Sequence, residues 1–351
     1  MRRLSLVGLV LVCACTHASS TDALGARHLA APSYMPAAPH DSSADSSITV
    51  YQVSPTTADP GAAGPTYPNL AMVGPASSWN NLLVVFLPGS GGQPSCCEMF
   101  LTEAASLGFH VIGLTYDNAT SIGSRCENDL SCYGTVRQNV FNGTDPSVYS
   151  QVEPEDGIEH RLVALLSYLG RRHRSQEWRA FLSGGLPDYA KTVFTGHSQG
   201  GGEAAFIGIE RALAGVVSLS SPPDTNSADQ AAPWLYDVPT GATRADGYYA
   251  FVHEGDPFYA RITADWTAMG LDSMGPLTSV DTSGAPYNNS HELISSAPLP
   301  NVLLAAHDST AVDDAQPLCP DGASMYVPVW RYLLQAAAGL PLSGPSGSCG
   351  K

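Results

Sequence analysis

Short apolar segments alternate with amphipathic ones along residues 48–340, and their lengths are those of strands and helices. Residues 81–87, 192–195 and 215–219 are mostly apolar runs, which is typical of parallel strands that are covered on both faces. Residues 157–173 instead place their leucines on one side of a 3.6-residue period, which predicts an amphipathic helix. The alternation predicts an α/β fold with a mostly parallel central sheet and helices on both faces, in one domain.

The same patterns predict the other elements of this domain. We expect further strands at residues 48–53, 69–73, 110–116, 248–252 and 276–281, and further helices at residues 95–107, 201–213 and 258–269. Residues 117–156 show no regular period and contain two cysteines. Long irregular segments in compact domains often have a function. We therefore interpret residues 117–156 either as a lid or wall of a substrate cleft or as a plain surface excursion.

The pentapeptide Gly196-His197-Ser198-Gln199-Gly200 lies between the strand predicted at 192–195 and the helix that follows it. In a nucleophile elbow, a serine occupies a tight turn from strand to helix, and small residues two positions away on either side let the backbone close. The pentapeptide alone is a weak signal, but strand, turn, helix and strand follow in the required order. We interpret Ser198 as the nucleophile of an acyl-transfer enzyme, with a glycine-rich turn in an ordinary α/β domain as the alternative.

The N-terminal residues predict export from the cytoplasm. Two arginines precede an apolar stretch at residues 4–12, which is long enough for a signal peptide and too short to span a bilayer. We interpret residues 1–15 as a signal peptide, residues 16–47 as a disordered leader or tether and residues 341–351 as a C-terminal tail. The sequence before Cys15 resembles a lipobox, so lipidated Cys15 could attach the protein to a membrane, and an ordinary secretory signal is the alternative. We expect a periplasmic, outer-membrane-anchored or secreted protein.

Charge and cysteine content narrow the classes of partner. The formal net charge of -16 and the absence of a lysine or arginine stripe argue against nucleic acid as a partner. Six cysteines beyond the leader suit an oxidising compartment and up to three disulfides, and Cys126 and Cys132 could close the short loop between them. Neither CxxC nor HExxH occurs, so we expect no metal site and no cofactor. The oligomeric state stays open.

Together with the segment Leu87-Pro88-Gly89-Ser90-Gly91-Gly92, the Ser198 turn resembles the α/β-hydrolase superfamily, over about residues 48–338. The turn, the run Ser95-Cys96-Cys97 and the closing residues 327–334 also look like a family of exported bacterial hydrolases named after a Burkholderia protein. The resemblance implies a serine hydrolase that acts on small-molecule or lipid-like carboxylic esters through an acyl-enzyme. An amidase, peptidase or acyltransferase with the same serine, or a non-catalytic exported binding or structural protein, are the alternatives.

The superfamily orders its catalytic residues as serine, acid and histidine along the chain. Asp256 follows the strand predicted at 248–252, which is the place of the acid in the superfamily. An aspartate before Pro257 is also well suited to cap the next helix, so a purely structural role for Asp256 is the alternative. Glu254 and Asp224 are the reserve candidates for the acid.

Two histidines are candidates for the base. We prefer His291, which a polar loop at 283–290 presents after the strand predicted at 276–281, because the superfamily places its base one strand after the helix that follows the acid. His307 is the rival, because it follows another apolar run and has Asp308 or Asp313 nearby to orient it.

The resemblance also implies a mechanism. A serine hydroxyl is a poor nucleophile at neutral pH, so His291 would take the proton of Ser198 and Asp256 would hold the imidazole in its tautomer. The backbone N–H groups of Ser90 and Gln199 match the positions that stabilise the oxyanion in the superfamily.

Overall fold

The computed structural model describes residues 48–228 and 230–342, the backbone of residues 27–29, and Cys349. Its strands are β1 (Arg27–Leu29), β2 (Ile48–Val53), β3 (Asn69–Val73), β4 (Leu83–Leu87), β5 (His110–Gly113), β6 (Leu182–Ser183), β7 (Leu186–Pro187), β8 (Thr192–His197), β9 (Gly215–Leu219), β10 (Tyr248–His253), β11 (Thr278–Ser279) and β12 (Glu292–Ser295). Its α-helices are α1 (Pro55–Ala58), α2 (Glu98–Ser106), α3 (Ile122–Cys126), α4 (Leu130–Asn142), α5 (Ile158–Arg172), α6 (Gln199–Glu210), α7 (Tyr259–Ala268), α8 (Ala305–Asp308) and α9 (Val327–Ala337).

Ten of these strands form one sheet in the order β1-β2-β3-β5-β4-β8-β9-β10-β12-β11. The strands from β5 to β11 in this order are parallel, whereas β1, β2 and β3 pair antiparallel at the other edge. The prediction of a mostly parallel sheet in an α/β fold is confirmed. Because the carboxyl ends of parallel strands meet at one edge, the loops after β4, β8, β9, β10 and β12 lie together there.

Each face of the sheet has its own hydrophobic core, as strand geometry requires. Val84 and Phe86 pack with residues of α2 and α9, whereas Leu83 and Val85 pack with residues of α4, α5 and α6 on the other face. The amphipathic helix predicted at 157–173 is α5, and its leucines are buried in the second of these cores. Helices therefore cover both faces of the sheet, as predicted.

Residues 117–156 are more regular than predicted, because they contain α3 and α4. The Asp129 carboxylate caps α4 by accepting a hydrogen bond from the Ser131 N–H at 3.1 Å. The buried face of α4 includes Arg137 and Asn139, and these polar residues interrupt the apolar period that would have indicated a helix. A disulfide joins Cys126 to Cys132 and so closes the loop between the two helices, as expected.

The region around His291 also differs from the prediction. The strand predicted at 276–281 shrinks to β11, and a strand that we did not predict, β12, begins directly after His291 and inserts between β10 and β11. The apolar part of β12 is only Leu293 and Ile294, which is too short to stand out as a period.

The chain ends lie mostly outside the described residues, and so do the predicted signal peptide with Cys15 and most of the predicted tail. Residues 27–29, inside the predicted leader, pair with β2. A second disulfide joins Cys319 to Cys349, and the two disulfides indicate an oxidising, exported environment. None of the helices in the described residues is long and apolar enough to cross a bilayer.

Candidate active site

Ser198 lies in the turn between β8 and α6 and adopts an unusual backbone conformation, with φ 52° and ψ -119°. L-residues rarely adopt positive φ angles, and such strain persists only where neighbouring groups hold it. The Ser198 N–H donates to the Leu219 carbonyl at 2.9 Å, and the Ser221 hydroxyl donates to the Ser198 carbonyl at 2.6 Å. Both contacts come from the neighbouring strand β9 and the residues after it, so the sheet holds the turn.

The two glycines that flank this turn are required by close backbone contacts. A Cβ atom on Gly196 would lie 2.5 Å from the Gly200 carbonyl oxygen. A Cβ atom on Gly200 would lie 2.0 Å from the carbonyl oxygen of Leu87, at the end of β4. The steric reason that we gave for these glycines is confirmed, and the second contact brings the residues after β4 next to Ser198.

A continuous chain of hydrogen bonds joins Ser198, His307 and Asp256. The Ser198 Oγ lies 2.8 Å from His307 Nε2, and His307 Nδ1 lies 2.8 Å from Asp256 Oδ2. His307 and Asp256 are buried, and 9% of the surface of Ser198 is accessible to solvent. The Nδ1–H therefore donates to the carboxylate, which leaves Nε2 as the acceptor for the serine proton.

Asp256 uses both of its carboxylate oxygens. One accepts the hydrogen bond from His307, and the other, Oδ1, accepts from the Phe258 N–H at 2.7 Å, in the turn before α7. The bond to Phe258 fixes the orientation of the carboxylate that His307 contacts, whereas α7 itself has Phe258 as its N-cap and no side-chain cap.

Residues around His307 fix the position of its ring. The His197 Nε2–H donates to the His307 carbonyl at 2.9 Å. The Phe258 ring stands edge-on to the His307 ring, with centroids 5.2 Å apart. His197 therefore supports the short helix α8.

The charges around His307 set its protonation. Burial lowers the pKa of His307, but the hydrogen bond and the charge of Asp256, together with the charge of Asp308, outweigh burial and raise the pKa above its usual value. Burial raises the pKa of Asp308 to about 6. Burial and the neighbouring His307 lower the pKa of His197 to about 3, so His197 is neutral at physiological pH.

The geometry contradicts our preference for His291 as the partner of Ser198. His291 precedes β12 and therefore lies at the amino end of a parallel strand, opposite to the edge that carries Ser198. Its Nδ1–H donates to the Tyr248 carbonyl at 2.7 Å, and its ring stacks on Tyr249 with centroids 4.0 Å apart. The rival histidine, His307, contacts the serine instead.

The reserve acids have other contacts. Asp224 pairs with Arg137, and Glu254 is exposed. Asp313, which we considered as a partner of His307, accepts hydrogen bonds from the first N–H groups of α2. Asp308 adds charge near His307 but lies 3.7 Å from His197 Nε2, so Asp256 alone of these acids orients the His307 ring.

Ser90, Gln199 and Ser198 line the same cleft. Neither the Ser90 N–H nor the Gln199 N–H has an acceptor among the described residues, so both are available to a ligand. Asn118 holds the segment that carries Ser90, because its side-chain amide donates to the carbonyls of Gly89 and Gly92 at 2.6 and 2.9 Å. The two side chains also meet, since the Ser90 hydroxyl donates to Gln199 Oε1 at 2.8 Å.

A cleft of about 280 Å³ opens beside Ser198. Part of its lining comes from α3 and α4, with Ile122 and Tyr133, and another part comes from Phe258 and Arg261 at the start of α7. Residues 117–156 therefore form a wall of a cleft, which is one of the two interpretations that we offered for them.

A buried arginine joins this wall to the Ser198 turn. Arg137 in α4 makes two hydrogen bonds to the Asp224 carboxylate, at 2.7 and 2.8 Å, and a third to the Gln199 carbonyl at 3.2 Å. The Trp234 indole N–H donates to the same carboxylate at 2.9 Å. Burial raises the pKa of Glu203, 3.3 Å from Arg137, to about 8 even though Arg137 lowers it. Asp224, which makes two hydrogen bonds to Arg137, is therefore its main partner.

Ligand atoms of His197, His307 and Asp308 lie within 4.8 Å of one another, a spacing that a metal ion could bridge. Both ring nitrogens of His307 are already engaged, by Asp256 and Ser198. A metal ion at this cluster would have to replace one of those hydrogen bonds, so the contacts present favour proton transfer over metal binding.

The sequence analysis did not identify Arg137, Phe258 or Arg261 as site residues. Phe258 and Arg261 are three residues apart after the acid candidate Asp256, and this helical spacing was a usable signal. Arg137 lies in a segment without a regular period, and its pairing with Asp224 depends on the tertiary structure alone.

No protein-family model matches this chain, and no curated protein sequence matches it. The positions of Ser198, His307 and Asp256, and of the two amides beside them, therefore carry the functional argument.

Proposed function

We propose that this chain is a serine hydrolase of the α/β-hydrolase superfamily that cleaves carboxylic esters. The observation that carries the proposal is the hydrogen-bonded chain from Ser198 through His307 to Asp256, which lies at the carboxyl edge of a mostly parallel sheet. The three residues follow in the order serine, acid, histidine that the superfamily uses. The nucleophile elbow and the two amides support the same assignment.

In the first half of the reaction, His307 Nε2 takes the Ser198 proton while Oγ forms a bond to the carbonyl carbon of the ester. The negative charge that develops on the carbonyl oxygen is met by the N–H groups of Ser90 and Gln199, and one such donor typically contributes about 3 to 4 kcal/mol in the transition state. His307 then gives its proton to the departing alkoxide, which leaves an acyl-serine.

In the second half, water attacks the acyl-serine and loses a proton to His307. The tetrahedral intermediate collapses, the carboxylic acid leaves, and the proton returns to Ser198 Oγ. Asp256 stays ionised and stabilises the imidazolium that forms in each half.

The test is labelling by a fluorophosphonate probe together with turnover of short-chain nitrophenyl esters. We expect the wild-type chain to be labelled and to hydrolyse the esters, and we expect Ser198→Ala to lose both properties. The control is Ser106→Ala, because Ser106 lies at the end of α2 and its hydroxyl bonds only the nearby Glu103 carbonyl. Labelling or turnover that survives Ser198→Ala would refute the proposal. Amide and alcohol-acceptor substrates in the same assay separate an esterase from an amidase or an acyltransferase.

We also propose that residues 1–15 direct export and that Cys15 is either lipidated or removed with a secretory signal. The disulfide-forming cysteines of the chain support an oxidising destination. Mass spectrometry of the mature N-terminus from a bacterial host, with Cys15→Ser as the comparison, distinguishes a lipidated cysteine from an ordinary cleavage. An uncleaved N-terminus would refute the proposal.

A further inference from the structure

Arg261 lies close to the reacting groups. It lines the cleft that contains Ser198 and is half-buried. The Ile262 N–H donates to the Phe258 carbonyl at 2.9 Å, and Phe258 is the N-cap of α7. Residues three apart on a helix are neighbours on its surface, and the Phe258 ring contacts His307. Arg261 is therefore one helical turn from a side chain that touches the proposed base.

Arg261 has no carboxylate at ion-pair distance within the part of the chain that the structure describes. Asp265, one turn further along α7, is where a partner would be expected. Its carboxylate instead accepts a hydrogen bond from the Asp224 N–H at 2.5 Å. Burial and the charge of Asp224 raise the pKa of Asp265 well above its usual range, which weakens Asp265 as a counter-charge for Arg261. Arg261 is therefore left without an ion-pair partner among the described residues.

The other ionisable groups of the cleft do not balance this charge. Arg137 and Asp224 neutralise each other through their paired hydrogen bonds. Burial raises the pKa of Tyr133 to about 12, so its hydroxyl is neutral. Glu127 is exposed at the rim, where solvent screens its charge. The cleft beside Ser198 is thus lined by the half-buried residue Arg261, and a guanidinium binds carboxylates through two parallel hydrogen bonds.

We propose that Arg261 binds a carboxylate group of the substrate, so that the preferred substrates are esters that carry a negative charge, such as monoesters of dicarboxylic acids. This inference rests on the proposed ester hydrolysis at Ser198 and specifies the substrate class of that site. The carboxylate can belong to the acyl part or to the alcohol part of the ester, and the experiment separates these two cases.

The kinetic test compares two pairs of esters. In the first pair, the acyl part of a nitrophenyl ester is adipate or its carboxamide isostere. In the second pair, the alcohol part of a butyrate ester is hydroxybenzoate or its carboxamide isostere. A charged hydrogen bond contributes about 1.5 to 3 kcal/mol, so we expect kcat/KM for one carboxylate ester to exceed that of its carboxamide about 10- to 100-fold. The pair that shows the preference identifies the part of the substrate that contacts Arg261.

Two variants assign the preference to Arg261. We expect Arg261→Gln to bring the carboxylate-to-carboxamide ratio of kcat/KM close to one. Arg261→Lys keeps the positive charge but not the paired donors of the guanidinium, so we expect a ratio between those of the wild-type chain and Arg261→Gln. The control is Arg244→Gln, because Arg244 is exposed and pairs with Asp246 away from the cleft. No preference in either ester pair, or a preference that Arg261→Gln leaves intact, would overturn the proposal.

A binding measurement separates this proposal from the proposed hydrolysis. The Ser198→Ala variant cannot form an acyl-serine, so isothermal titration with the intact adipate ester measures binding alone. We expect it to bind the carboxylate ester more tightly than the carboxamide, and we expect Arg261→Gln in the same background to remove the difference. Tighter binding of the carboxylate ester without any wild-type turnover would refute the proposed hydrolysis and support the carboxylate site. Ester turnover with equal binding of the carboxylate and the carboxamide would support the hydrolysis and refute the carboxylate site.

Discussion

The Nε2 atom of His307 lies 2.8 Å from the Oγ atom of Ser198, although 109 residues separate the two along the chain. Strand β12 and the short helix α8 produce this contact, because β12 runs parallel to β10 and directs the following residues to the edge of the sheet where β8 ends. The contact determines which histidine is expected to act in catalysis.

Replacing the two histidine candidates should have very different effects. General acid–base catalysis contributes about 10²- to 10⁴-fold, so we expect His307→Ala to lower kcat/KM for ester hydrolysis by that range. His291→Gln is the matched control, since His291 bonds the Tyr248 carbonyl at the opposite edge of the sheet, and it should change the rate little. Ester hydrolysis by the purified variants measures both. A large loss in His291→Gln, with correct folding shown by circular dichroism, would contradict the assignment.

The rate should depend on pH through the protonation of His307. His307 acts as a base only when neutral, and its pKa is raised, so kcat/KM should rise with pH with a midpoint above the ordinary histidine value of about 6.5. Asp308 is one of the charges that raise this pKa. Asp308→Asn should therefore move the midpoint to lower pH.

The stability that His307 contributes through its raised pKa is present below the ordinary histidine value and is lost as pH rises through the folded-state pKa. Urea unfolding of the wild-type chain and of His307→Gln across this pH window tests the sign of the effect.

The kinetic prediction for Asp308→Asn has its own contrary outcome. If the pH midpoint of kcat/KM is the same in Asp308→Asn as in the wild-type chain, the electrostatic role of Asp308 is ruled out.

The two roles of Asp256 can be separated by two substitutions. Asp256→Asn keeps an oxygen that can accept from the Phe258 N–H but removes the charge opposite His307, so kcat should fall by about 10⁴-fold with little loss of stability. Asp256→Ala should show a similar loss of activity and in addition lower the free energy of unfolding by about 1 kcal/mol, because the hydrogen bond from the Phe258 N–H is lost. Steady-state kinetics and urea unfolding measure the two effects. Equal stability of the two variants would disprove the stabilising role of this hydrogen bond.

Arg137 should matter for stability more than an exposed arginine does. Removing one partner of a buried ion pair costs about 3 to 5 kcal/mol, and we expect Arg137→Ala to lower the free energy of unfolding by that amount because Asp224 is left buried and unpaired. Arg244→Ala, which breaks an exposed pair with Asp246, should cost about 1 kcal/mol or less. Chemical denaturation gives both values, and similar values for the two variants would contradict the argument.

The fold could be predicted where short-range patterns determine the elements. Strands β2, β3 and β9 have the predicted bounds because their apolar runs are bordered by polar or turn residues. Helix α4 was missed because its buried face contains Arg137 and Asn139. Arg137 pairs with Asp224, and Asn139 bonds residues 144, 150 and 152 in the loop after the helix, so their burial cannot be deduced from the local period.

Some residues of the candidate site could likewise be predicted from local sequence, and others depend on the tertiary structure. The Ser198 turn, its two amides and Asp256 follow from local motifs at the ends of strands, and the structure brings these groups together. The choice between the histidines depended on β12, whose apolar part is two residues long. Because β12 was missing from the predicted strands, His291 was expected at the edge of the sheet that carries Ser198, and it lies at the opposite edge.

The two parts of the α3–α4 wall are held in different ways. Arg137 joins α4 to Asp224 and to the carbonyl of Gln199, so α4 cannot move without disturbing the residue beside Ser198. The rim around α3 is held instead by the disulfide from Cys126. Substrate range can therefore diverge at the rim while the reaction chemistry is conserved. An engineer who wants new substrates should randomise residues 121–125 and 127–128, and should keep Cys126 and α4 intact.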